Sequence, residues 1–152
     1  MTHNTLIQQQ QTRLAMHGCI ILLLGLLSGI GFSYAAAVGS NTSELYGSWK
    51  FAHMEGLTNG MLVIAIAGIW QRLTDHSTLS MKVARCLLIF GCYCNIIGPL
   101  ITALFIGHRV IEPTTALEAF VVYGFYTPGT VPLISFFIFV AKLYKSSIVI
   151  SQ

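Results

Sequence analysis

Charge is what this sequence has least of. Lys and Arg number 8 and Asp and Glu 5 in 152 residues, 9% in all, against the ~25% of an ordinary soluble domain. So few charges cannot clothe a soluble globule of this size. Disorder is excluded too, because it needs high charge and low hydrophobicity. Here 55% of residues are apolar, with a mean hydropathy of +0.74. A net charge of only +3, on scattered basic residues, argues against a nucleic-acid partner. Cysteines are few, and Cys19, Cys86 and Cys92 lie inside long apolar runs with Cys94 two residues on, which argues against a secreted disulfide framework. Also lacking are a phosphate loop, an H-E-x-x-H pair, a C-x-x-C-H haem-attachment motif and a nucleophile–base pair. Any catalysis has to run on few polar groups in an apolar cavity, which favours a bound cofactor acting on an apolar small molecule.

What the chain does have is long apolar runs. A helix needs ~20 mostly apolar residues to cross the hydrocarbon core, and four runs qualify, at about 14–38, 49–70, 83–107 and 119–144. They are too long and too uniformly apolar for the alternating strands of a closed barrel. The first is too long for a signal-peptide core and lacks an early positive cluster. The reading is an all-α, multi-pass membrane protein: one domain over residues 1–152, a bundle of four transmembrane helices in contact with membrane lipid. No internal repeat is present. The Gln8–Gln11 tract in the leader reads as a frayed end or surface helix. Within the fourth run, Thr127, Pro128, Gly129 and Pro132 interrupt the helix.

Arg13, Arg72, Lys82, Arg85, Lys142 and Lys145 fall on one side of such a bundle, and Lys50 and Arg109 on the other. The positive-inside rule then expects both termini in the cytoplasm, in a cell or inner membrane. Asn41-Thr42-Ser43 fits a glycosylation sequon on the opposite side.

Polar residues inside the spans are the informative ones, because ionisable and amide groups are costly in hydrocarbon. Span two holds most of them: His53, Glu55 and Asn59, with Gly56 and Gly60 four apart. On residues alone two readings stay open. His53 and Asn59 make interhelical hydrogen bonds while the glycines pack, or the segment holds a cofactor. A neutral imidazole beside small residues suits haem ligation. His53 and Gly60 share a helix face, but Asn59 lies about 120° round from His53. His108 is level with His53 and could complete a bis-histidine, electron-transfer site, or sit at the interface beside Arg109. His17 is at the far end of span one. Asn95 reads as a helix–helix hydrogen bond, Cys92 as a packing residue, and Trp49, Trp70 and Tyr126 as interfacial aromatics.

Residues 49–65, with Trp49, Ala52-His53, Leu57-x-Asn59-Gly60-Met61 and Val63-Ile64-Ala65, resemble the second span of the styrene oxide isomerase family. His17-Gly18, Lys82-x-Ala84-Arg85, Asn95 and Pro128-Gly129 extend the match. The resemblance implies a homotrimeric membrane enzyme with haem b near the protomer contacts. Its iron would be held by His53, with Gly56, Gly60 and Trp49 among the cofactor-binding residues. Ferric iron acts there as a Lewis acid, and a small apolar epoxide of the styrene oxide type becomes an aldehyde. Asn59 would be the catalytic side chain at the substrate. One position departs: where the family has a catalytic tyrosine, four residues after Asn95, this chain has Pro99, which supplies no hydroxyl. The alternative functions are a non-enzymatic haem protein, as electron carrier or haem and gas sensor, and a structural membrane subunit without cofactor.

Overall fold

The computed structural model describes residues 3–39, 43–73 and 78–150, with side chains over 5–145 of these. The described residues are all helical or irregular, with no strand. Four stretches are long and apolar enough to cross a membrane: Thr5–Val38, Glu44–Arg72, Leu79–Ile106 and Ala116–Lys145. The expected spans are therefore present, the first extended by nine residues into the leader.

Helix α1 (His3–Val38) runs unbroken through the polar leader. At ~1.5 Å per residue its 36 residues span about 54 Å, well beyond a ~30 Å hydrocarbon core. The glutamines of the leader are good helix formers, and Gln71 Nε2 donates to Gln11 Oε1 at 2.8 Å, tying the leader to the end of α2. Helix α2 (Glu44–Ile69) starts at Ser43, whose hydroxyl accepts from the Tyr46 amide. Asn41 and Thr42 of the sequon lie outside the described residues.

Helices α1 and α2 pack backbone to backbone. Gly25 and Gly56 face each other so closely that a Cβ on either would overlap the other's main chain, and further along Gly18 lies against Ile64 and Gly60 against Leu22. Helix α3 (Leu79–Ile101) carries Pro99 inside its last turn and continues into a π-turn, Thr102–Ile106, which Gly107 ends at φ 81°. The fourth span is broken where its sequence is. Helix α4 (Ala116–Val121) passes into a second π-turn, Val122–Tyr126, then a 3-10 turn, Pro128–Thr130, and α5 (Pro132–Ile150).

The apolar core fills the end of the bundle that carries Arg72 and Lys82. Leu14, Ile21, Val63, Trp70, Met81 and Leu88 are buried there together, with Phe139 edge-on to Trp70. The other end holds the polar side chains. That division positions the site.

Candidate functional site

Span two places its polar residues on two faces. His53 turns toward α1. Its Nδ1 donates to the Gly25 carbonyl at 2.7 Å, and Phe32 stacks on the ring at 5.8 Å and 16°. Gly29 lies against the same ring, where a Cβ would come within 3.0 Å. A carbonyl only accepts, so the proton is on Nδ1 and the Nε2 lone pair is free to bind. This is how proteins orient an imidazole that serves as a metal ligand. Among the described residues no three His, Cys, Asp or Glu side chains converge. His53 is thus a single donor, suited to a group that brings its other ligands with it.

Gly56 and Gly60 are covered within the chain. They sit under Gly25 and Leu22 of α1, so the small-residue surface beside His53 is a helix–helix contact. Trp49 lays its indole against Gly31 of α1. His108, the other candidate ligand, has Nε2 3.3 Å from Glu118 Oε1. Glu118 in turn accepts from the Thr114 and Thr115 amides and closes a capping box at the start of α4. His108 therefore fastens the connection after span three. His17 pairs with Tyr93 through Nδ1 and the hydroxyl, 3.1 Å apart, toward the basic end.

Asn59 turns toward α3 and is 7% exposed. Its Nδ2 donates to the Glu55 carbonyl at 2.9 Å and to Glu55 Oε2 at 2.8 Å. Its Oδ1 accepts from Asn95 Nδ2 at 3.2 Å, and Asn95 also donates to the Gly129 carbonyl at 3.0 Å. The Gly129 contact depends on the broken fourth span, since a continuous helix would leave that carbonyl bonded within itself. Asn95 does make the helix-to-helix hydrogen bond read from the sequence.

Beside this chain of amides lies a cavity of about 300 Å³. Glu55, Asn95, Arg109 and Tyr126 supply its polar lining, and Phe51 and Pro99 part of its apolar wall. Arg109 stacks over Phe51, 4.6 Å from the ring centre. The Tyr126 hydroxyl is 2.8 Å from Thr102 Oγ1, so each π-turn contributes one partner of the pair. Pro99 and Tyr126 share this lining: the chain has a hydroxyl in the cavity, brought from another span.

Sequence reasoning singled out Asn59 and Asn95, and these the structure joins. It does not bring His53 to them, because His53 faces α1 and Asn59 faces α3. Glu55, Arg109 and Tyr126 were missed as cavity residues. Glu55 carried a usable signal, an ionisable group in a span and four residues before Asn59. Tyr126 carried none, because its position depends on a π-turn.

The family model described as styrene oxide isomerase matches residues 10–144. Hydroxylaminobenzene mutase HabA of Ectopseudomonas oleovorans is 30% identical to the chain over 108 residues, 71% of this chain and 73% of the mutase. No solved structure matches the chain.

Proposed function

The chain belongs to the styrene oxide isomerase family, and from that premise we propose that it isomerises an aryl epoxide to an aldehyde with haem b held by His53. Family membership and the four apolar spans make it an integral membrane enzyme of the isomerase type. The observation that carries the haem reading is His53 itself. Its Nδ1 is spent on the Gly25 carbonyl, so Nε2 is oriented as a neutral donor with one side of the ring packed by Phe32.

Ferric haem, when bound, supplies a Lewis acid for the epoxide oxygen. The protein's own contribution is orientation and dryness. The apolar wall, with Phe51 and Pro99, offers no nucleophile to a ring-opened electrophile, which water would trap as a diol. Tyr126 offers a hydroxyl to the developing oxyanion, in place of the one that Pro99 lacks. Asn59 enters as the hub that holds Glu55 and Asn95 in the wall. For its amide to reach a substrate oxygen, Glu55 has to release it.

His53 and the cavity lie on different faces of α2. A homotrimer in which His53 of one protomer meets the cavity of its neighbour joins them, and this is the assembly we propose. The likeness to the mutase favours a second reading of the substrate, an arylhydroxylamine rather than an epoxide. The electron-carrier alternative loses its second ligand while His108 is paired with Glu118.

The test is optical. Detergent-purified protein should show a Soret band that His53→Ala abolishes while the helical circular dichroism stays. The ferric wild type should convert styrene oxide to phenylacetaldehyde. Protein that fails to take up haemin offered in excess would sink the haem reading. Haem-loaded protein that gives no aldehyde above free haemin would sink the epoxide reading.

A further inference from the structure

The two amides beside the cavity have nothing left to donate. An asparagine Nδ2 carries two hydrogens. Those of Asn59 go to the backbone carbonyl and Oε2 of Glu55, and those of Asn95 to Asn59 Oδ1 and the Gly129 carbonyl. What the network turns to the cavity is an acceptor. Glu55 lines the cavity and, among the described residues, no hydrogen bond ends on its Oε1. Tyr126 shares its hydroxyl bond with Thr102, and Arg109, stacked on Phe51, makes no ion pair with Glu55 among the described residues.

A carboxylate oxygen that faces a cavity without a hydrogen bond favours a ligand that donates one. An ether or epoxide has only lone pairs and cannot do so. At about 300 Å³ the space suits a single aromatic ring with a short polar head. We propose that Glu55 Oε1 is the ligand-recognising acceptor of this cavity, and that the cavity selects one-ring aromatic molecules whose head carries an N–H or O–H donor. The proposal rests on the reading above that this cavity is the substrate pocket. It makes Glu55 a specificity-determining residue and extends the substrate class from epoxides to donor-bearing aromatics.

The test compares two probes that differ in one hydrogen-bond donor, 4-fluorophenol and 4-fluoroanisole. Each is titrated into the detergent-purified protein by fluorine NMR, against the same micelles without protein. The wild type should bind the phenol about tenfold more tightly, the ordinary worth of a charge-assisted hydrogen bond. In Glu55→Gln the side-chain oxygen can keep the Asn59 bond, which leaves the Nε2 donor facing the cavity. The order of the two probes should then invert. Equal affinities in the wild type overturn the proposal, as does a Gln variant that keeps the wild-type order. Should that variant not fold, Val110→Trp, which fills the cavity, is the second arm. A phenol preference that disappears when the cavity is filled supports the assignment, and one that survives overturns it. No turnover is measured, so failure to bind haem or to form aldehyde leaves this test intact.

Discussion

Hydrogen-bond inventory decides what single residues can do here. His53 has one nitrogen committed and one free, and Asn59 has every amide hydrogen committed. Tyr126 is placed between these extremes. Thr102 Oγ1 can donate either to it or to the Gly98 carbonyl, 3.0 Å away, so losing the tyrosine hydroxyl leaves Thr102 satisfied. Tyr126→Phe should therefore unfold at nearly the wild-type temperature. Aldehyde formation from styrene oxide should fall ~10- to 100-fold, at or below the usual cost of one oxyanion-stabilising donor. Gas chromatography of the product and a melt followed by circular dichroism separate the two effects. A variant with full activity would remove Tyr126 from the mechanism.

Helices α1 and α2 behave as one unit because glycines bring their backbones into contact. That contact also sets the acceptor for His53, since the carbonyl belongs to Gly25 itself. Gly25→Leu drives a side chain into the α2 main chain. It should cost at least ~2 kcal/mol, the middle of the range for overpacking, and displace His53 from its carbonyl, so that haem uptake falls with stability. Gly47→Ala and Gly68→Ala meet nothing within 4 Å and serve as controls that should melt like the wild type. Thermal unfolding in detergent with a parallel haemin titration reads both. The spans themselves were legible, because twenty apolar residues in a row have few other uses. The leader was legible only as one of two alternatives, a frayed end or a surface helix, since a run of glutamines carries no hydrophobic period to decide between them. The cavity was not legible either. It exists because two π-turns, Thr102–Ile106 and Val122–Tyr126, bring Thr102 and Tyr126 together, and such turns leave no composition signal.

As a whole, the molecule divides its chemistry between two faces of α2, so a single copy holds a ligand donor and a polar cavity apart. A contact that joins unlike faces of identical chains is heterologous, and it is finite only if the rotation closes into a ring. Native mass spectrometry in mild detergent should give three chains and up to three haems. A monomer carrying stoichiometric haem would refute the ring. The exposed apolar side chains on α1, among them Leu23, Leu26 and Ile30, belong to the same question, since they face either lipid or a neighbouring copy.

The cavity lies at one end of a bundle that lipid surrounds, and its proposed substrates are oily one-ring molecules. The bilayer is then the reservoir as well as the solvent. Substrate is delivered from acyl chains in two dimensions, and product returns to them. What the enzyme senses is a mole fraction in lipid, so diluting the membrane with inert phospholipid slows turnover even when substrate per millilitre is unchanged. An apparent KM for such a protein is a property of the vesicles as much as of the chain, and its natural unit is molecules of substrate per molecule of lipid.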